Sequence, residues 1–99
     1  MKKLLILILG LLLGFSLTLA QAQEPSAGDL VKRLGCLGCH ALDGKGGDRG
    51  PAWDGLGQRL SPEAIRKQIV SPQGRMPNFA HLKPAELEAL VDYLSGLKE

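Results

Sequence analysis

The sequence predicts an all-α fold, three to four short helices wrapped around something more than their own side chains. Apolar residues recur at helical spacing in three separate segments, and no stretch alternates apolar and polar residues with the period of a strand. Gly- and Pro-rich stretches between those segments read as loops, and there is no internal repeat or low-complexity tract. The third observation is size. Domains this short bury too little surface to be comfortable and recruit a disulfide, a metal or a partner.

The N-terminal segment is set apart from the fold. Lys2 and Lys3 precede an apolar run from Leu4 to Ala20, and Ala20-Gln21-Ala22 places small residues where a signal peptidase reads. Residues 1–22 are therefore expected to be an export signal cleaved after Ala22, with the protein periplasmic or otherwise exported. The alternative is an uncleaved anchor, since the run approaches the ~20 apolar residues that span a bilayer, although Gly10, Gly14, Ser16 and Thr18 dilute it. Only then would the membrane be a partner.

Residues 23–99 make one domain. The formal charge of +2 rests on Lys2 and Lys3; beyond them the remaining ten Lys and Arg balance ten Asp and Glu. A neutral domain lacks the basic face that displaces counterions from phosphates, so nucleic acid is excluded as a partner.

In chain order, Leu30, Val31 and Leu34 lie on one face of a helix over Ala27–Leu34 that runs into Cys36. Ala41–Leu60 carries six glycines and reads as loop, with a short turn after Trp53. Ser61-Pro62 starts a second helix, because the serine hydroxyl accepts from free N–H groups and proline at the first position loses no bond. Ile65 and Ile69 share its buried face, and Ser71-Pro72 ends it. Pro84 opens the most periodic helix. There Leu87, Leu90, Val91, Leu94 and Leu97 form one stripe, while Glu86, Glu88, Asp92 and Lys98 face water.

The chemistry concentrates in "GCLGCH", residues 35–40, which holds the chain's only two cysteines, Cys36 and Cys39, with His40 directly behind. Three readings compete. A thiol–disulfide pair suits an exported chain, but the strand and helix alternation of thioredoxin-like proteins is missing. Structural zinc wants four ligands, and His81 is the one further histidine. In the third reading each thiol is joined to one vinyl group of a single haem c, and the adjacent imidazole ligates the iron. Residues three apart on a helix share a face, which lets both sulfurs reach one porphyrin edge. The small core and the export signal agree with this third reading.

An iron held by one histidine has a second axial position. Met76 is the sole methionine after Met1, and it lies in the loop sequence "GRMPNF", where apolar filler is an awkward reading. Pro77 biases it toward extended backbone. Met76 is read as the sixth ligand, with His81 as the competitor. A thioether raises the potential of the iron and a second imidazole lowers it.

With these residues in place the chain resembles the small monohaem class I cytochromes c of bacteria, over nearly all of residues 23–99. "GCLGCHALDGKGGDRGPAWDGLGQRL" resembles that family's haem motif and following Gly-Pro loop; "GRMPNFAHLKPAELEALVDYLSGLK" resembles its methionine loop and last helix. The resemblance implies the cytochrome c fold. It also implies that Pro51 offers its carbonyl to the ring N–H of His40, although Pro51 alone reads as a turn former. Arg59 would approach a haem propionate, or be a solvated arginine. Leu90 and Tyr93 would cross the first helix near Gly28, where backbones approach.

The chain also departs from the family. Val31 and Lys32 stand where an aromatic residue is common, and Lys83 where a capping Ser or Thr is usual, weakening that helix start by ~1 kcal/mol. The short interval between His40 and Met76 reduces the loop over the propionate edge. Trp53 packs on the proximal haem face or donates to a propionate, and the sequence does not choose. The implied function is single-electron transfer by a non-enzymatic carrier between donor and acceptor proteins. No acidic residue occurs from Ser71 to Ala85, where Arg75 and Lys83 flank the methionine loop, so those partners are expected to present acidic docking patches. The rival readings are a fixed haem subunit of a larger oxidoreductase and, behind it, a ligand-binding haem protein with an open iron.

Overall fold

Helix starts and stops written into the sequence divide the chain as its periodicity suggests. The computed structural model describes residues 25–98; the segment 1–22, read as signal or anchor, lies outside them. Helix α1 spans Ala27–Arg33, with the Ser26 Oγ accepting the Asp29 N–H at 3.4 Å. Asp29 in its first turn and Lys32 and Arg33 in its last complement the helix dipole. Gly35, at φ 70°, turns the chain out of α1 into a 3₁₀ turn over Cys36–Gly38. The cysteine motif thus follows the helix and winds more tightly than an α-helical reading expects.

The next segment adds a small two-stranded sheet to the otherwise helical fold. Strands β1, Ala41–Leu42, and β2, Lys45–Gly46, pair antiparallel, with Ala41 opposite Gly46 and Leu42 opposite Lys45. Asp43 (φ 53°) and Gly44 (φ 78°) make the left-handed two-residue turn that suits the twist of a hairpin. Two-residue strands are too short to show a period. The Asp-Gly pair was the legible signal.

A short helix α2, Leu56–Arg59, follows Trp53. Helix α3, Pro62–Val70, begins as expected, with the Ser61 Oγ accepting the Ala64 N–H at 3.2 Å and Pro62 at its first position. Helix α4, Pro84–Ser95, starts on a bond that compensates for the poor cap at Lys83, whose N–H donates to the Glu86 Oε1 at 3.0 Å. This is the reciprocal half of a capping box.

Helix α4 is the spine, packing against α1, α2 and α3. Its Leu90, Val91 and Leu94 are buried against Leu30 and Val31 of α1, Ile65 and Ile69 of α3, and Trp53. Leu87 and Leu97 are half-buried at the edge of that core. Each buried aliphatic side chain is worth about 1.5–3 kcal/mol, so a handful of them must hold the fold. Two charges expected to face water instead join helices: Glu86 takes a hydrogen bond from Arg33 of α1 at 2.6 Å, and Glu88 takes a fork from Arg66 of α3 at 2.8 and 2.9 Å.

The close backbone approach expected near Gly28 lies elsewhere. A Cβ on Gly28 would meet the Ser26 Oγ alone, at 3.8 Å, whereas one on Gly57 would collide with the Ser95 carbonyl at the end of α4. Gly57 also donates its N–H to the Leu97 carbonyl at 2.8 Å. The glycine that admits a neighbouring backbone is thus on α2.

Candidate functional site

The motif is knotted into place by its own backbone. Cys39 and His40 both donate their N–H groups to the Cys36 carbonyl, at 3.3 and 3.0 Å, which closes the turn and sets the two thiols and the imidazole in one short arc. The Gly-Pro loop then folds back over it: Gly47 donates to the carbonyls of Leu37 and His40, and Gly50 to that of Cys39 at 2.9 Å. Both cysteines are half-buried and free.

Burial pushes the Cys36 thiol above its ordinary pKa, outweighing a backbone hydrogen bond that pulls it down. A redox-active thiol needs the opposite, a lowered pKa that supplies thiolate. The disulfide-exchange reading therefore loses support. Among the described residues no group of three or more His, Cys, Asp or Glu side chains converges, so a zinc-type ligand set is not assembled either.

His40 Nδ1 lies 2.7 Å from the Pro51 carbonyl oxygen. A carbonyl only accepts, so Nδ1 carries the proton and donates, which leaves Nε2 as the free lone pair. The pairing inferred from the family resemblance is present. Trp53 is buried and stacks on the His40 ring, centroids 5.3 Å apart and planes inclined by 24°. The backbone N–H of Trp53 donates to the Ala41 carbonyl at 2.8 Å, tying this stretch of chain to β1.

Arg59 stands behind this wall. Its Nη2 donates to the carbonyls of Ala52, at 2.8 Å, and Asp54, at 3.3 Å, on either side of Trp53. The side chain expected near a propionate thus braces the loop that carries Trp53 and Pro51.

Met76 occupies a separate element, the loop between α3 and α4, where it is half-buried. Its sulfur accepts a hydrogen bond from the Gln68 Nε2 at 3.7 Å. The rival His81 is exposed, with its ring tilted against Phe79 at 6.2 Å between centroids. The Phe79 N–H donates to the Ile69 carbonyl at 3.0 Å and pins the far end of the methionine loop to α3.

The donor set fits a haem c. Two thiols on one turn, an imidazole whose bonded Nδ1 leaves Nε2 as donor, and a thioether on a separate loop are the groups such a cofactor takes. Gly50 completes the cradle, since a Cβ there would stand 2.6 Å from the His40 Cε1 and displace the ring. Gln68, Gly50 and the Trp53 stack went unread in the sequence. Gln68 had a faint signal, a polar residue three positions after buried Ile65 and next to buried Ile69.

Comparison at the family level matches residues 23–94 to the family described as cytochrome c oxidase, cbb3-type, subunit III. The chain belongs to that family. It is a small monohaem cytochrome c, a haem-binding electron-transfer domain. Among curated proteins, cytochrome c oxidase subunit 2 of Alkalihalophilus pseudofirmus (strain ATCC BAA-2126 / JCM 17055 / OF4) is 33% identical over 98 residues, an alignment covering 80% of this cytochrome c and 29% of the relative. The chain thus spans less than a third of that protein. No solved structure matches it.

Proposed function

We propose that this cytochrome c moves single electrons through one haem c joined to Cys36 and Cys39 and ligated by His40 and Met76. When bound, that group accepts and returns one electron; the chain supplies its position and surroundings. The observation that carries the reading is the Pro51–His40 hydrogen bond, on the same turn as two free thiols. The Pro51 carbonyl holds His40 in one tautomer and raises the basicity of its Nε2. Trp53 and Gly50 hold the ring plane, Arg59 holds the loop bearing Trp53 and Pro51, and Met76 supplies a neutral, soft donor from the other loop.

The leading reading is an exported carrier that shuttles between a donor and an acceptor protein, outside the cytoplasmic membrane. Arg75 and Lys83 are both exposed beside the methionine loop, and among the described residues neither is in an ion pair. They support docking to acidic patches. A second reading, a fixed haem subunit of a larger oxidase, is favoured by the names of the matched family and relative. Co-purification with a catalytic chain at stoichiometric amounts separates the two.

The test is maturation with haem in an exporting host, followed by intact mass and an absorption spectrum. Attachment adds the mass of one haem, and a ferric thioether-to-iron charge-transfer band reports Met76. Met76→Ala should abolish that band and lower the potential by more than ~59 mV, a tenfold change in equilibrium with any one-electron partner. A colourless product with free thiols overturns the reading.

A further inference from the structure

The Gln68 side chain is committed to the methionine loop. A primary amide has two N–H donors and one carbonyl acceptor. The Gln68 Nε2 donates to the Gln73 carbonyl at 3.3 Å and to the Met76 sulfur at 3.7 Å, and its Oε1 accepts the Gln73 N–H at 3.4 Å. One half-buried side chain on the last turns of α3 thereby grips the backbone of the loop on one side of the left-handed turn at Gly74 (φ 80°) and the thioether on the other. Beyond Met76 the loop is tied to α3 again, by the Phe79 N–H on the Ile69 carbonyl. Ser71–Phe79 is thus held to one helix at both ends, and Gln68 is its one side-chain contact with the sulfur among the described hydrogen bonds.

We propose that Gln68 is a positioning residue that latches the Met76 loop, restraining the thioether and thereby limiting the entry of outside ligands at the iron. The inference rests on the reading of Met76 as axial ligand. A thioether sulfur has two lone pairs, so the Gln68 N–H can be kept while the other pair faces the metal. Removing the latch raises the fraction of molecules with the loop open, and the apparent affinity of a competing ligand rises in proportion.

The test measures imidazole binding to the ferric, haem-loaded protein. Gln68→Met keeps length and bulk without the hydrogen bonds, and Gln68→Glu keeps the acceptor oxygen without the two donors. Either should bind imidazole about three- to tenfold more tightly than wild type, the factor expected for a lost hydrogen bond, with a shifted charge-transfer band. Ser61→Ala is the comparator: it weakens the start of the same helix and should leave both readouts unchanged. Gln73→Ala should also be silent, because Gln73 contributes only backbone atoms to the latch. If both Gln68 variants bind imidazole as wild type does while the band is present, the latch is wrong and the Met76 reading stands. The latch also fails if Ser61→Ala matches them. A wild-type protein without the band overturns both.

Discussion

Gly50 lies against the imidazole of His40 so closely that a β-carbon there would stand 2.6 Å from Cε1 and 2.8 Å from Nδ1. The same residue donates to the Cys39 carbonyl, which fixes its own place. Neither side can yield easily, because Nδ1 is held by Pro51 and the ring is stacked against Trp53. Gly50→Ala should therefore destabilise the haem-loaded protein by about 1–3 kcal/mol, the usual range for overpacking, and move its absorption bands. Gly28→Ala, whose β-carbon would make only an ordinary contact with the Ser26 Oγ at 3.8 Å, should be neutral or stabilising by up to about 1 kcal/mol. Equal urea midpoints for the two variants would contradict this account.

Trp53 joins the site to the core. It stacks on His40, yet only 6% of its surface is exposed and it packs with Ile65, Ile69 and the α4 stripe. Trp53→Ala should cost about 3–5 kcal/mol, a large part of the total stability of a domain this size. Trp53→Phe should recover much of it by refilling the cavity. Chemical denaturation followed by far-ultraviolet circular dichroism reads both.

The helices were legible because each carries local signals that agree with its burial. Ser61-Pro62 starts α3, Pro84 starts α4, and Ile65, Ile69, Leu90, Val91 and Leu94 are buried as their spacing implies. The cysteine motif was legible as chemistry, since two thiols and an imidazole at fixed spacing have few uses, whereas the role of Pro51 came with the family resemblance alone. What escaped were contacts between separate elements. Gly57 against Ser95, Arg33 on Glu86 and Gln68 on Met76 are set by how elements cross, and no periodicity records a crossing. Lys83 misled for the same kind of reason. Its side chain is a poor cap, but the bond that matters is between its backbone N–H and the Glu86 side chain.

Acid should loosen the helices through Glu86 and Glu88. The hydrogen bond from Arg33, then the Lys83 backbone N–H, hold Glu86 below the usual carboxylate range; the Arg66 fork does the same for Glu88. A carboxyl whose pKa is depressed on folding contributes stability above its unfolded pKa and loses it as pH falls through the folded one. Stability should thus be flat near neutrality and decline below the ordinary glutamate range. In Glu86→Gln with Glu88→Gln that acid-side decline should be shallower and the neutral stability lower. Thermal midpoints between pH 7 and pH 3 test the sign, and a steeper decline in the double variant would contradict it.

If electrons leave near the methionine loop, the charge of Arg75 and Lys83 should be visible to small oxidants. Both side chains are exposed, and no acidic residue occurs between Ser71 and Ala85 to cancel them. A local positive potential accelerates an anionic reactant and slows a cationic one, and salt weakens both effects over a Debye length of about 8–10 Å. Oxidation of the ferrous protein by ferricyanide should consequently slow as ionic strength rises, while oxidation by a tripositive cobalt complex should quicken. Arg75→Glu with Lys83→Glu should invert both slopes, since two positive charges become two negative ones without touching the residues that hold the haem. Slopes that stay as in the wild type would mean that the electron leaves by another face, and the acidic partner patch would have to be sought there.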